Sequence, residues 1–210
     1  QRRPLIDHVL DRLAAAGIAE AIVNVHYQPA PLEKHLKGRK SPKITISDER
    51  GVLLDTGGGI ARVLPQLGPD PFVIHNSDSV WEEGVGSILE RLFAAWDPRT
   101  MVSLLLLALG GRSLGYDGHG DFTMDSEGHL FRRQENREAP FVFTGVSIAH
   151  PRLFADAPQG AFSLNKLWDR AIERNRLFGV RLEGTWMHIG TPQALAEAER
   201  FVADDETSTR

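Results

Sequence analysis

Leu5, Ile6, Val9, Leu10 and Leu13 recur at spacings of one, three and four, which places them on one face of a helix. Pro4 suits the first helical turn, where its missing N–H has no partner to lose, and Gly17 supplies a left-handed stop. The pattern then changes. Ala21-Ile22-Val23-Asn24-Val25 is short and β-branched and predicts a strand. Leu32 and Leu36 mark a second helix, and Lys43-Ile44-Thr45-Ile46-Ser47 a second strand. Phe72-Val73-Ile74-His75 predicts a strand that runs into Asn76-Ser77-Asp78, and Ile88, Leu89, Leu92 and Phe93 line a further helix. Positions 101–109 are apolar at nearly every residue, the pattern of a strand covered on both faces. Over 121–133 the period is two around Ser126-Glu127-Gly128, which predicts a hairpin. A strand over 141–148 follows, then a helix carrying Leu164, Leu167, Trp168, Ala171 and Ile172, then a strand pair over 180–189. A closing helix opens on Thr191-Pro192.

Strands alternating with helices at this spacing predict an α/β fold, a mostly parallel, doubly wound sheet with helices on both faces and an antiparallel hairpin inserted. One domain is expected over 1–203, with a loose polar tail over 204–210. The 210 residues are 41% hydrophobic and 25% charged, a globular composition. A formal net charge of −4 argues against a general binder of nucleic acid or anionic membrane. The apolar run over 101–109 falls short of the roughly 20 residues of a spanning helix, and no signal segment is read, so a cytoplasmic protein is expected. With no cysteine, disulfides, zinc thiolates and cysteine nucleophiles are excluded.

Ligands of open α/β sheets gather beyond the carboxyl ends of the strands. Three such loops carry unusual residues. In Leu54-Asp55-Thr56-Gly57-Gly58-Gly59-Ile60, three glycines open a helix, which allows close backbone approach by a nucleotide and frees N–H groups for it; an ordinary turn capped by Thr56 has the same pattern. Asp78, just after an apolar strand, stands where a divalent cation bridging phosphates is held, or where a turn is capped. His188, in Trp186-Met187-His188-Ile189-Gly190-Thr191-Pro192, faces the same cleft or is a hydrogen-bonded, half-buried histidine. The chain has neither a G-x-S-x-G elbow nor a P-loop, and no G-x-G-x-x-G follows a first strand.

Taken in order, these segments resemble the sugar-1-phosphate nucleotidyltransferases, in the branch of N-acetylmuramate-1-phosphate uridylyltransferases and mannose-1-phosphate guanylyltransferases. The matching runs are Arg3-Pro4-Leu5-Ile6, Asn24-Val25-His26-Tyr27, Leu54 through Ile60 as quoted, and Asn76-Ser77-Asp78. They continue with Gly120-Asp121-Phe122, Phe143-Thr144-Gly145-Val146-Ser147-Ile148, and the run that starts at Trp186. The resemblance implies a Rossmann-like, GT-A-like nucleotidyltransferase fold. The implied reaction is transfer from UTP or GTP to a sugar 1-phosphate, giving an NDP-sugar and pyrophosphate with Mg²⁺ or Mn²⁺. By position it implies Asp78 as the catalytic and metal-binding carboxylate, with Thr56, Gly57, Gly58, Gly59 and Asn76 at the nucleotide. Gly120, Asp121, Thr144 and Gly145 fall where the sugar is expected. The chain departs from the family in three places. The family's first strand and its G-x-G-x-R-x-x-P loop have no counterpart after Gln1, so a segment preceding Gln1 in the natural protein is expected. Ser77 replaces a glycine, with strain expected if its φ is positive. His188 replaces a second metal-binding aspartate, which makes it an outer ligand or a mark of Mn²⁺. A non-catalytic sugar-nucleotide-binding regulatory domain is the alternative reading.

Overall fold

The computed structural model describes residues 3–208, with side chains through 204. Helix α1 (Leu5–Ala15) leads to strand β1 (Glu20–Val25), helix α2 (Pro29–Leu36) and strand β2 (Lys43–Asp48), which pairs in parallel with β1. Helix α3 (Asp55–Leu67) returns the chain to β3 (Phe72–His75), which is followed by β4 (Ser79–Glu83), α4 (Ile88–Ala95) and β5 (Ser103–Leu109). A hairpin of β6 (Phe122–Met124) and β7 (Leu130–Arg132) precedes the long β8 (Phe141–Ala149). Helix α5 (Asn165–Glu173), β9 (Leu177–Arg181), β10 (Gly184–His188) and α6 (Pro192–Ser208) complete the order. Helix α6 takes up 204–208, where the sequence predicts a loose tail; positions 209 and 210 lie outside the described residues.

The sheet is mixed, not mostly parallel. Among the described strands, β1–β2 and β5–β9 pair in parallel, whereas β8 runs antiparallel to β3, β5 and β6. The physical reason lies in the connection. Between β5 and β8 the chain makes a hairpin instead of a helical crossover, so it re-enters the sheet from the end at which β5 left it. The two strands predicted over 180–189 form, but apart: β9 pairs with β5, and β10 with β4. Among the described residues β1 pairs with β2 alone and β3 with β8 alone.

Burial explains the apolar run of β5. Leu104, Leu106 and Ala108 enter a core with α1, α4, Trp81 and Trp186, while Leu105 and Leu107 enter a second core with Phe122, Leu167 and Trp168. Each fully buried leucine contributes about 2 kcal/mol, so the strand is a main anchor of both layers. No helix among the described residues is long and apolar enough to cross a membrane.

Candidate functional site

The loop after β3 is a short arch pinned at both ends to successive residues of β8. The Asn76 amide donates to the Gly145 carbonyl at 2.9 Å, and the Ser79 hydroxyl donates to the Thr144 carbonyl. The Trp186 indole N–H in turn donates to Ser79 Oγ at 2.8 Å, which ties β10 to the arch. Gly145 has φ of 88°, and a Cβ there would stand 2.9 Å from Asn76 Cβ, so glycine is needed for this crossing. Ser77 is absent from the positive-φ residues, so serine is accommodated there without the expected strain.

Asp78 sits at the crown of the arch. Its carbonyl accepts from the Ile189 amide at 2.7 Å, and Ser79 is the register partner of His188, so the β4–β10 pairing delivers His188 to the carboxylate. His188 Nδ1 lies 3.9 Å from Asp78 Oδ2, and the side chains are 40% and 44% exposed. Two residues separated by 110 positions thus form one open corner. It contains no group of three histidine or acidic side chains able to enclose a metal, among the described residues. One open carboxylate does suit a hard cation that takes its other oxygens from phosphates and water.

The glycine run opens α3. This helix, about 20 Å long by its 13 residues, connects β2 to β3, and its Ile60, Ala61 and Leu64 pack on the core that also takes Ile74 of β3. Its backbone is not free, however. The Gly57 and Gly58 amides both donate to the Phe162 carbonyl, at 2.9 and 3.1 Å, and Thr56 Oγ1 accepts from the Leu164 amide at 3.0 Å. All three glycines are buried: Gly57 against the Phe162 ring, Gly58 against the Gly160 carbonyl, and Gly59 with a Cβ position 2.9 Å from Glu49 Oε1. The close approach expected for a ligand is made, at Gly57 and Gly58, by the segment before α5. Of this group Thr56 remains exposed.

The expected sugar residues divide in a similar way. Thr144 is fully buried; its hydroxyl donates to the Leu106 carbonyl at 2.9 Å, where the register of β5 and β8 shifts. It serves the bulge, whose extra residue leaves a carbonyl needing a donor. Asp121 Oδ2 accepts from the Phe143 amide at 2.8 Å, and Gly120, at φ of 78°, passes close to the Ala139 carbonyl. These positions shape the wall between the hairpin and β8.

Two features escaped sequence reasoning. Glu49 is 6% exposed, accepts from the Asn24 amide side chain, and lies beside Gly59; His26 Nδ1 contacts its carbonyl oxygen at 2.7 Å. At the foot of the arch, His75 stacks on Trp81 with ring centres 5.5 Å apart, and the Arg12 guanidinium lies over the Trp81 ring, 4.6 Å from its centre. Burial pushes the His75 imidazole down to about 4, and His75 Nε2 has no partner.

No family model matches the chain. N-acetylmuramate alpha-1-phosphate uridylyltransferase of Caulobacter vibrioides is 44% identical over 206 residues, covering 96% of this chain and 85% of that protein. The chain belongs to the sugar-1-phosphate nucleotidyltransferase family. Its resemblance to that family is therefore borne out. The N-acetylmuramate alpha-1-phosphate uridylyltransferase of Neisseria meningitidis is 28% identical over 200 residues, covering 94% of this chain and 84% of the relative. A solved UDP-glucose pyrophosphorylase complexed with UDP-glucose superposes with a TM-score of 0.75 at 12% identity, covering 97% of this chain and 88% of that one. This likeness shows that the nucleotidyltransferase has the Rossmann-like α/β fold expected of it.

Proposed function

We propose that this nucleotidyltransferase transfers uridylyl from UTP to N-acetylmuramate α-1-phosphate, releasing pyrophosphate. The observation that carries the choice of base and sugar is the 44% identity to the Caulobacter vibrioides uridylyltransferase over 96% of the chain. In the reaction a phosphate oxygen of the sugar attacks the α-phosphorus of the triphosphate in line. The new O–P bond forms as the bond to the β-phosphate oxygen breaks, and pyrophosphate carries away the electron pair. No covalent enzyme intermediate is needed, so the protein's contribution is positioning and charge.

Asp78 fits as the holder of Mg²⁺, because its carboxylate is open to solvent at the sheet edge where ligands of such folds gather. The cation, when bound, offsets negative charge on the phosphates. His188, 3.9 Å from that carboxylate, acts beside it, orienting Asp78 or accepting Mn²⁺ more readily than Mg²⁺. Asn76, exposed and fixed by its backbone to Gly145, fits a nucleotide contact, as does exposed Thr56. Gly57, Gly58 and Gly59 form the floor under them. Gly120, Asp121, Thr144 and Gly145 set the shape of the sugar wall by holding the backbone around β8. The reaction belongs in the cytoplasm, where nucleoside triphosphates are at hand.

The test is pyrophosphate release by the full-length protein from UTP and GTP, each with N-acetylmuramate, mannose and glucose 1-phosphates, with Mg²⁺ or Mn²⁺. Preference for UTP with N-acetylmuramate α-1-phosphate is expected. Preference for GTP with mannose 1-phosphate would overturn the assignment of base and sugar.

A further inference from the structure

At the sheet edge away from Asp78, where β5 and β9 begin and β8 ends, the surface carries a depression of about 50 Å³. Arg152, Arg170, Arg174 and Arg176 line it, and Asp156 is the one acidic residue among its lining groups. In a chain of formal charge −4, this is a concentrated positive spot. The nearby acids Asp97 and Asp169 are paired elsewhere, with Arg99 and Arg132.

Three of the four guanidinium groups are held by neutral acceptors. Arg152 donates to the Pro98 carbonyl, Arg170 to the Asp156 carbonyl at 2.6 Å, and Arg176 to the Arg99 carbonyl at 3.1 Å. Carbonyl tethers fix position without neutralising charge. Arginine does not shed its proton in a protein, so the four keep their charge. Each group keeps further N–H donors, and its planar fork matches a phosphate oxygen pair. Pre-set donors also lower the ordering cost of binding.

We propose that this depression is a binding site for a small, free phosphate-class anion, inorganic phosphate or pyrophosphate, separate from the Asp78 corner. The reading stands whether or not the proposed base and sugar are right.

The test uses full-length protein carrying Asp78→Asn, with a chelator present, so that metal-dependent binding at the other edge is silent. Calorimetric titration with phosphate and with pyrophosphate, at constant ionic strength set by chloride, is expected to show saturable one-to-one binding. The arginine Nε–H signals of the four residues are expected to shift together. Arg152→Gln combined with Arg174→Gln is expected to weaken binding about tenfold or more, since charge-assisted bonds are lost. Arg174→Gln alone gives a smaller loss and covers the case in which the double variant folds poorly. Arg200→Gln, on α6, is expected to bind as the parent does. Unchanged affinity in the arginine variants, or no binding at about 10 mM anion, would overturn the proposal. So would capture on phosphatidylglycerol vesicles without binding of either soluble anion.

Discussion

Two parts of the molecule carry the residues that sequence pattern marks for a nucleotide, and they are built in opposite ways. At the arch, Asp78, Asn76 and His188 turn their side chains outward, while the backbone is consumed by β8 and β10. At the start of α3, the amides of Gly57 and Gly58 are consumed by Phe162, and the glycines vanish into packing. The difference separates residues that offer chemistry from residues that permit shape. Both kinds stand together in sequence motifs, and only their hydrogen-bond partners tell them apart.

The sharpest way to break this contrast is to exchange the expected effects. Asp78→Asn is expected to cut nucleotidyl transfer about 100-fold or more while moving unfolding stability by less than about 0.5 kcal/mol. Steady-state kinetics beside urea melts measures both, and intact activity would deny Asp78 its role. Gly57→Ala should do the reverse. Its methyl meets the Phe162 ring, and a loss of about 2–3 kcal/mol of stability is expected from urea unfolding. Next comes acid sensitivity at the foot of the arch. The unfolded His75 ring takes up its proton near 6.5, whereas burial delays this to about 4 in the folded chain. The His75 contribution is thus fully present above pH 6.5 and declines by about 3 kcal/mol as pH falls toward 4. His75→Leu is expected to flatten that limb of the stability-against-pH curve. The smallest effect concerns Ser147, buried on β8 with its hydroxyl unpartnered. Ser147→Ala is expected to leave stability unchanged or raise it by about 0.5 kcal/mol, because no hydrogen bond is lost.

Much of the layering was readable along the chain. The unbroken apolar run of β5 announced a strand covered on both faces, and the period-two stretch announced the β6–β7 hairpin. Strand direction was not readable, since it depends on how β5 connects to β8 across an irregular stretch. Strand β4 went unseen because Val80-Trp81-Glu82 is too short to declare a period. At the site, Asp78 and His188 were each visible as odd residues beside a strand. Their meeting required the β4–β10 register, which no local pattern encodes. The packing of the glycine run was hidden for the same reason: its partner, Phe162, lies more than a hundred positions away. Glu49 gave no signal beyond an acid following a strand; its burial came from Asn24 and Gly59.

The arch over Asn76 and Ser79 has a consequence for how the cleft recognises its cargo. With its feet set on consecutive residues of the longest strand, the crown cannot bend to suit a visitor. In the proposed reaction, adjustment to different sugars would then fall to the loops across the gap, with the Asp78 carboxylate as the fixed holder of the cation that meets the phosphates.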